Sequence, residues 1–174
     1  MRNYFFMILI FLSFIVGCQK EANRRPSEEV DFRVSLKISL NPDQLNDLEF
    51  RNENESYSFT TTGTDPYVYS DPLSKSIEDD CVLTFDYISS ENFSLQLFFS
   101  PPTEEVRSIK DINVENSANW KSFSIDVKEQ MGRYDWGNNG DLLRIDLGDK
   151  KGIDIKLKNI RFRSRNKEEE EAAQ

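Results

Sequence analysis

Histidine is absent from the 174 residues, and cysteine occurs only twice. Without an imidazole the chain cannot build a Ser-His-Asp or Cys-His nucleophilic centre, which leaves proton transfer to carboxylates, lysine or tyrosine. Zinc lacks its usual ligand set, because no histidine is present and Cys81 stands alone in the body of the chain. Positive charge is also in short supply: 22 Lys and Arg face 31 Asp and Glu, a formal net charge of -9. That balance argues against a surface that tracks nucleic-acid phosphates or grips anionic lipid. No basic stripe interleaved with aromatics occurs, no repeat is visible, and helical periodicity is weak throughout.

Long hydrophobic runs are missing too, with one informative near-case. Tyr4 to Val16 is apolar over about 13 residues, whereas a spanning helix needs roughly 20. Arg2 precedes this run and small Gly17 follows it, the three zones of a secretory signal. The junction Ile15-Val16-Gly17-Cys18 resembles the bacterial lipobox, in which cleavage leaves a lipid-modified cysteine as the first residue. The plainer reading is a signal peptide whose apolar core ends near a cysteine. The lipobox reading implies a leader over 1–17, lipidation at Cys18 and membrane attachment through the lipid anchor only. Gln19-Lys20-Glu21 resembles the short charged signal that carries lipoproteins to the outer face of the outer membrane in some Gram-negative anaerobes. The expected location is therefore the outer membrane, exposed at the cell surface.

Residues 18–30 are polar and read as a flexible tether. From Asp31 onward the pattern changes. Phe32, Val34, Leu36, Ile38 and Leu40 alternate with polar residues until Asn41-Pro42-Asp43 interrupts them. Further strands are expected at Leu48 to Asn52, Tyr57 to Thr61, Tyr67 to Tyr69, Cys81 to Ile88, Phe93 to Phe99, Trp120 to Val127, Leu142 to Leu147 and Ile153 to Arg163. Turn-forming segments such as Gly63-Thr64-Asp65-Pro66 and Gly137-Asn138-Asn139-Gly140 separate them. Short strands punctuated this regularly imply an all-β fold, an antiparallel β-sandwich or jelly roll, over 31–164. Residues 165–174 are expected to be an acidic tail or linker, the run Lys167 to Gln174 being either a solvated, partly helical tail or the start of a connection to another module.

Candidate functional residues are few. Cys81 falls at odd positions with Leu83, Phe85 and Tyr87, so it reads as a small buried residue rather than a reactive thiol. With the leader removed it has no intrachain disulfide partner unless Cys18 stays free. Tyr134 and Trp136 lie in the polar, Gly-rich stretch Tyr134 to Asp141, where a large aromatic has no periodic reason to be buried. A flat aromatic face matches the C–H face of a pyranose, so Trp120, Trp136, Tyr67, Tyr69, Tyr87 and Tyr134 are candidates for sugar stacking, set against the plainer reading as core aromatics, and the two in this loop stand out. Trp120 opens an alternating strand and is expected to pack. Arg144 and Asp146 alternate with Leu143, Ile145 and Leu147 and face away from the core, either to meet a ligand or to form a surface ion pair with residues such as Lys156 or Asp126. Gln96, between Leu95 and Leu97, takes a similar outward position. A glycosidase-like pair of carboxylates must sit about 5 to 9.5 Å apart, and nothing in the sequence shows such a pair. Glu78-Asp79-Asp80 and Glu104-Glu105 read as solvated loop charge. EF-hand spacing is absent, so a structural calcium is left open and no other cofactor is implied.

The stretch Trp120 to Val127, then Trp136-Gly137, Asp141 to Gly148 and Ile155 to Arg163, resembles the closing strands of jelly-roll, galactose-binding-like domains of carbohydrate-binding type. In particular it is similar to an N-terminal domain of surface lipoproteins from gut polysaccharide-degrading bacteria, often placed ahead of a glycan-active module. The resemblance implies a non-catalytic domain that captures or positions a polysaccharide or oligosaccharide, with a glycan-active protein as a further partner. The alternative is a structural or protein-interaction module at the cell surface. Replacing Cys18 with Ser is expected to move the chain from the membrane fraction to the soluble fraction; a variant that stays with the membrane would overturn the lipid anchor.

Overall fold

A computed structural model describes residues 32–53, 55–77, 82–100, 107–131 and 136–173. Cys18, Cys81 and Tyr134 lie outside these residues, as do Glu78-Asp79-Asp80 and Glu104-Glu105. The strands run in chain order as β1 (Phe32–Ser35), β2 (Leu45–Asn46), β3 (Leu48–Glu53), β4 (Ser56–Thr61), β5 (Tyr67–Tyr69) and β6 (Val82–Ser89). Then follow β7 (Phe93–Ser100), β8 (Arg107–Val114), β9 (Ser117–Asp126), a one-turn helix α1 (Val127–Met131), β10 (Leu142–Leu147), β11 (Asp154–Arg163) and helix α2 (Lys167–Ala172).

All pairings between these strands are antiparallel and build two sheets. One has the order β3-β4-β11-β6-β9 with β1 also on β11, and the other runs β2-β5-β10-β7-β8. The chain is thus the β-sandwich that its alternation implies. Each sheet turns one apolar row inward: Phe59, Leu83, Phe85, Ile155, Leu157 and Phe162 from the first meet Val68, Leu95, Leu97, Phe99, Leu143, Ile145 and Leu147 from the second, and all are buried. Filling the space between the sheets with these side chains is the main stabilising term.

The first described segment belongs to both sheets. Val34 pairs with Phe162, and the Leu36 amide donates to the Ile160 carbonyl, both on β11. Past Lys37 the chain crosses over, so that Ile38 bridges Ser70 and the Ser39 amide donates to the Tyr69 carbonyl at the end of β5.

Two elements depart from the sequence pattern. In β8 the apolar positions are Ile109, Ile112 and Val114, because a bulge at Lys110 and Asp111, the latter at φ +59°, breaks the period of two. The segment therefore carries no clean strand signature. Val127, expected to end β9, instead opens α1, where the Asp126 carboxylate accepts the Glu129 amide at 2.8 Å.

The acidic tail is partly helical, as expected, and it is held. Asn166 and Glu169 form a capping box at the start of α2. Arg163 donates to both oxygens of Glu169 at 2.6 and 2.7 Å, and Arg165 donates to Asp126. The Arg163 bond holds the Glu169 carboxyl below its ordinary value, against a smaller opposing effect of burial. At Asp126 burial acts upward, but Arg165 and the Glu129 amide favour the ionised form and leave the carboxyl lowered. A lowered carboxyl stabilises the fold above its ordinary pKa and loses that contribution as pH falls through the folded value. Glu169→Gln is expected to cost about 1 kcal/mol in urea unfolding at pH 7, with the gap to the parent closing below about pH 4. A gap independent of pH would show that the Arg163–Glu169 pair does not hold the tail.

Candidate functional site

Because Leu143, Ile145 and Leu147 must point into the core, Arg144 and Asp146 emerge on the outer face of the second sheet. The register fixes their neighbours. One row across the sheet reads Asn46, Tyr67, Asp146, Gln96, and the next reads Tyr69, Arg144, Phe98, Ser108. Arg144, Asp146 and Gln96 are therefore brought together with the rings of Tyr67, Tyr69 and Phe98.

Arg144 is the hub. Its Nε and Nη2 donate to the two oxygens of Asp146 at 2.7 and 2.8 Å, and Nη2 also reaches Asp65 Oδ1 at 3.1 Å. The guanidinium carbon lies 3.7 Å from the centroid of the Tyr67 ring and 4.9 Å from that of Phe98. Tyr69 meets Tyr67 edge to face at 5.8 Å, and Lys110 Nζ stands 5.6 Å from the Phe98 centroid. A planar cation stacked on rings and forked onto a carboxylate has little freedom left, which places its remaining donors without further ordering cost.

The ion pair thus differs from the one expected. Asp126 and Lys156 belong to the other sheet, where they bind Arg165 and Glu53, and the partner of Arg144 is two residues along its own strand. Asp146 is only 6% exposed although it lies on an outer face. Burial pushes its carboxyl above the ordinary value, and the pull of Arg144 only partly offsets this.

Asp65 is delivered by a second device. Asp47, at φ +48°, accepts the Asp65 amide through its side chain, and Asn46 Nδ2 donates to the Asp65 carbonyl at 2.7 Å. Gly63 sits against that carboxylate: a Cβ there would fall 2.0 Å from Asp47 Oδ2. The loop between β4 and β5 is thereby fastened to the turn after β2.

The tryptophans reverse their expected places. The Asp141 carboxylate accepts the amides of Gly137 and Asn138, both at 2.8 Å, and folds the Gly-rich loop back on itself. Trp136 is carried inward, donates from its indole N–H to the Leu142 carbonyl, and packs on Phe99 and Phe162 with centroids 4.6 and 5.6 Å away. It lies with the core rather than with Arg144, Asp146 and Gln96. Trp120, expected to pack, is 41% exposed on the first sheet. Of the other aromatic candidates, Tyr67 and Tyr69 are brought to this face, whereas Tyr87 is buried in the core; Phe98 is not among them, because by alternation alone it reads as an ordinary strand residue, and its signal lies in sharing a parity with Gln96.

Arg144→Ala would leave the Asp146 carboxylate buried without its cation, at a cost of about 3 kcal/mol at pH 7. With the folded pKa above the unfolded one, that penalty applies to the ionised form and fades as pH falls through the folded value. Chemical unfolding should show the variant recovering toward the parent in acid; equal loss at all pH values would reject the assignment.

No protein-family model matches the chain, and no curated protein matches it in sequence. Solved structures do match in fold, and family 29 carbohydrate-binding modules are among them. A lysine-to-alanine variant complexed with cellulohexaose is 14% identical, covering 78% of this chain and 92% of its own, with a TM-score of 0.54. An aspartate-to-alanine variant complexed with mannohexaose gives the same identity, coverage and TM-score. A module from Piromyces equi is 10% identical over 79% of this chain and 91% of its own, with a TM-score of 0.54. At these identities the likeness is one of fold, that of an antiparallel β-sandwich.

Proposed function

We propose that the chain is a non-catalytic glycan-binding protein, carried at the cell surface by a lipid on Cys18, and that the outer face of the second sheet holds the sugar. The observation that carries this reading is the cluster on that face. Tyr67, Tyr69 and Phe98 offer apolar ring surface beside Arg144, Asp146 and Gln96, whose donors and acceptors match sugar hydroxyls. Opposite charges are paired within the cluster, which suits a neutral polysaccharide or oligosaccharide better than an anionic one.

The neighbouring structures lend support from their own design. Among the family 29 modules, ligand recognition was probed by alanine replacement of an arginine and of an aspartate two positions further on. Arg144 and Asp146 have the same spacing on β10. A polysaccharide held at this face would be presented to a glycan-active partner protein, and the chain itself performs no bond cleavage in this reading.

The test is affinity electrophoresis through gels containing soluble polysaccharides. Tyr67→Ala is expected to weaken retardation by about tenfold or more, equivalent to about 1.4 kcal/mol. Retardation by no polysaccharide would reject the reading in favour of a structural or protein-interaction module.

A further inference from the structure

The opposite side of the sandwich carries a second aromatic-centred cluster, built by two irregularities on either side of one strand. Between the pairs Tyr87↔Lys121 and Ser89↔Ser117, β6 advances by two residues while β9 advances by four, so Trp120 stands in a bulge. On the other flank β11 has an extra residue between Lys158↔Asp86 and Arg161↔Thr84. Asn159 occupies that bulge at φ +53°, a conformation costly for a residue with a Cβ. Bulges of this kind re-aim side chains, and both of these aim at the same stretch of β6.

What they deliver is a ring surrounded by hydrogen-bonding groups. Lys158 Nζ lies 4.1 Å from the Trp120 ring centroid. Asn159 Nδ2 donates to Asp86 Oδ2 at 2.7 Å, and Ser122 Oγ donates to Asp86 Oδ1 at 2.6 Å. Burial acts upward on the Asp86 carboxyl, but these two bonds and the nearby Lys158 and Arg161 charges leave it lowered, hence ionised at neutral pH. An ionised carboxylate has about four lone-pair positions, and Ser122 and Asn159 use one on each oxygen.

We propose that this cluster is a second glycan contact, in which Trp120 stacks on the apolar face of a neutral pyranose unit while Asp86, Asn159 and Lys158 bond its hydroxyls. A protein partner fits the surface less well. A stable protein interface needs about 800 Å² per side around an apolar centre, whereas the exposed positions next to Trp120 on β9 are Ala118, Asn119, Lys121, Ser122 and Ser124, polar but for one small methyl group. The contact lies on the sheet opposite to Arg144, so the two faces act independently, and one chain would hold two glycan strands at once.

The full chain is titrated with the two hexasaccharides bound by the neighbouring structures, cellulohexaose and mannohexaose, with calorimetric stoichiometry and tryptophan fluorescence as readouts. With the better of the two, the parent is expected to bind two molecules per chain, Trp120→Ala one, and Trp120→Ala combined with Tyr67→Ala none. Asp86→Asn should weaken the second contact by about tenfold while leaving the first unchanged. Trp120 is exposed, so its replacement leaves the core intact. If Trp120→Ala alters neither stoichiometry nor affinity, the second contact is wrong and the first face stands. If Tyr67→Ala changes nothing while Trp120→Ala removes binding, the first face is wrong and this one stands. Binding of neither hexasaccharide to the parent overturns the proposal.

Discussion

The apolar layer between the two sheets is the constraint from which the rest follows. Phe85, Phe99, Phe162 and the Leu and Ile residues around them are essentially without solvent contact. Since a strand gives alternate side chains to opposite faces, burying one set commits the other set to the outside. The positions of Arg144 and Asp146, and of Asp86 and Lys158 on the far side, are by-products of that commitment. A slip of one residue in β10 would exchange Arg144 for Ile145 on the open face and place a guanidinium among leucines.

Within that frame the two faces are organised differently. The second sheet binds its charged groups tightly to one another: Arg144 spans Asp146, Asp65 and two aromatic rings, and the loop that carries Asp65 is tied down through Asp47. Such a cluster is ordered before any ligand arrives, which limits the entropy lost on binding. The first sheet relies on broken periodicity instead, with bulges in β9 and β11 setting the directions of Trp120 and Asn159. Pairing beneath Arg144, between β5, β10 and β7, is regular, although a bulge in β8 brings Lys110 to Phe98 at its margin.

The fold was largely readable from alternation. The strands around Leu83, Leu95, Leu143 and Ile155 stand where the apolar period of two places them, and the outward positions of Arg144, Asp146 and Gln96 follow from the same parity. β8 was not readable, because its bulge shifts the parity between Ile109 and Ile112. The tryptophans show the other limit. Nothing in the period of two reveals that Trp136 swings onto Phe99, whereas Trp120 shares the parity of Ser122 and Ser124 and is exposed with them. The turn at Asp141 spans only four residues, but the rings that receive Trp136 come from distant strands. Tyr67 and Tyr69 were legible as candidate stacking rings, but that they and Phe98 flank Arg144 depends on the pairing of β5 and β7 with β10.

The segment from Phe32 to Ser39 also has a mechanical meaning. It is bonded first to β11 in one sheet and then, past Lys37, to Tyr69 and Ser70 at the end of β5 in the other. Tension entering the domain from its N-terminal side therefore meets hydrogen bonds of both sheets, and peeling this segment means detaching it from two layers. A sandwich whose leading strand rested on one sheet alone would shed that strand under load with its core still closed. Here the traction falls on the seam between the layers, so resistance to pulling and integrity of the core are the same property.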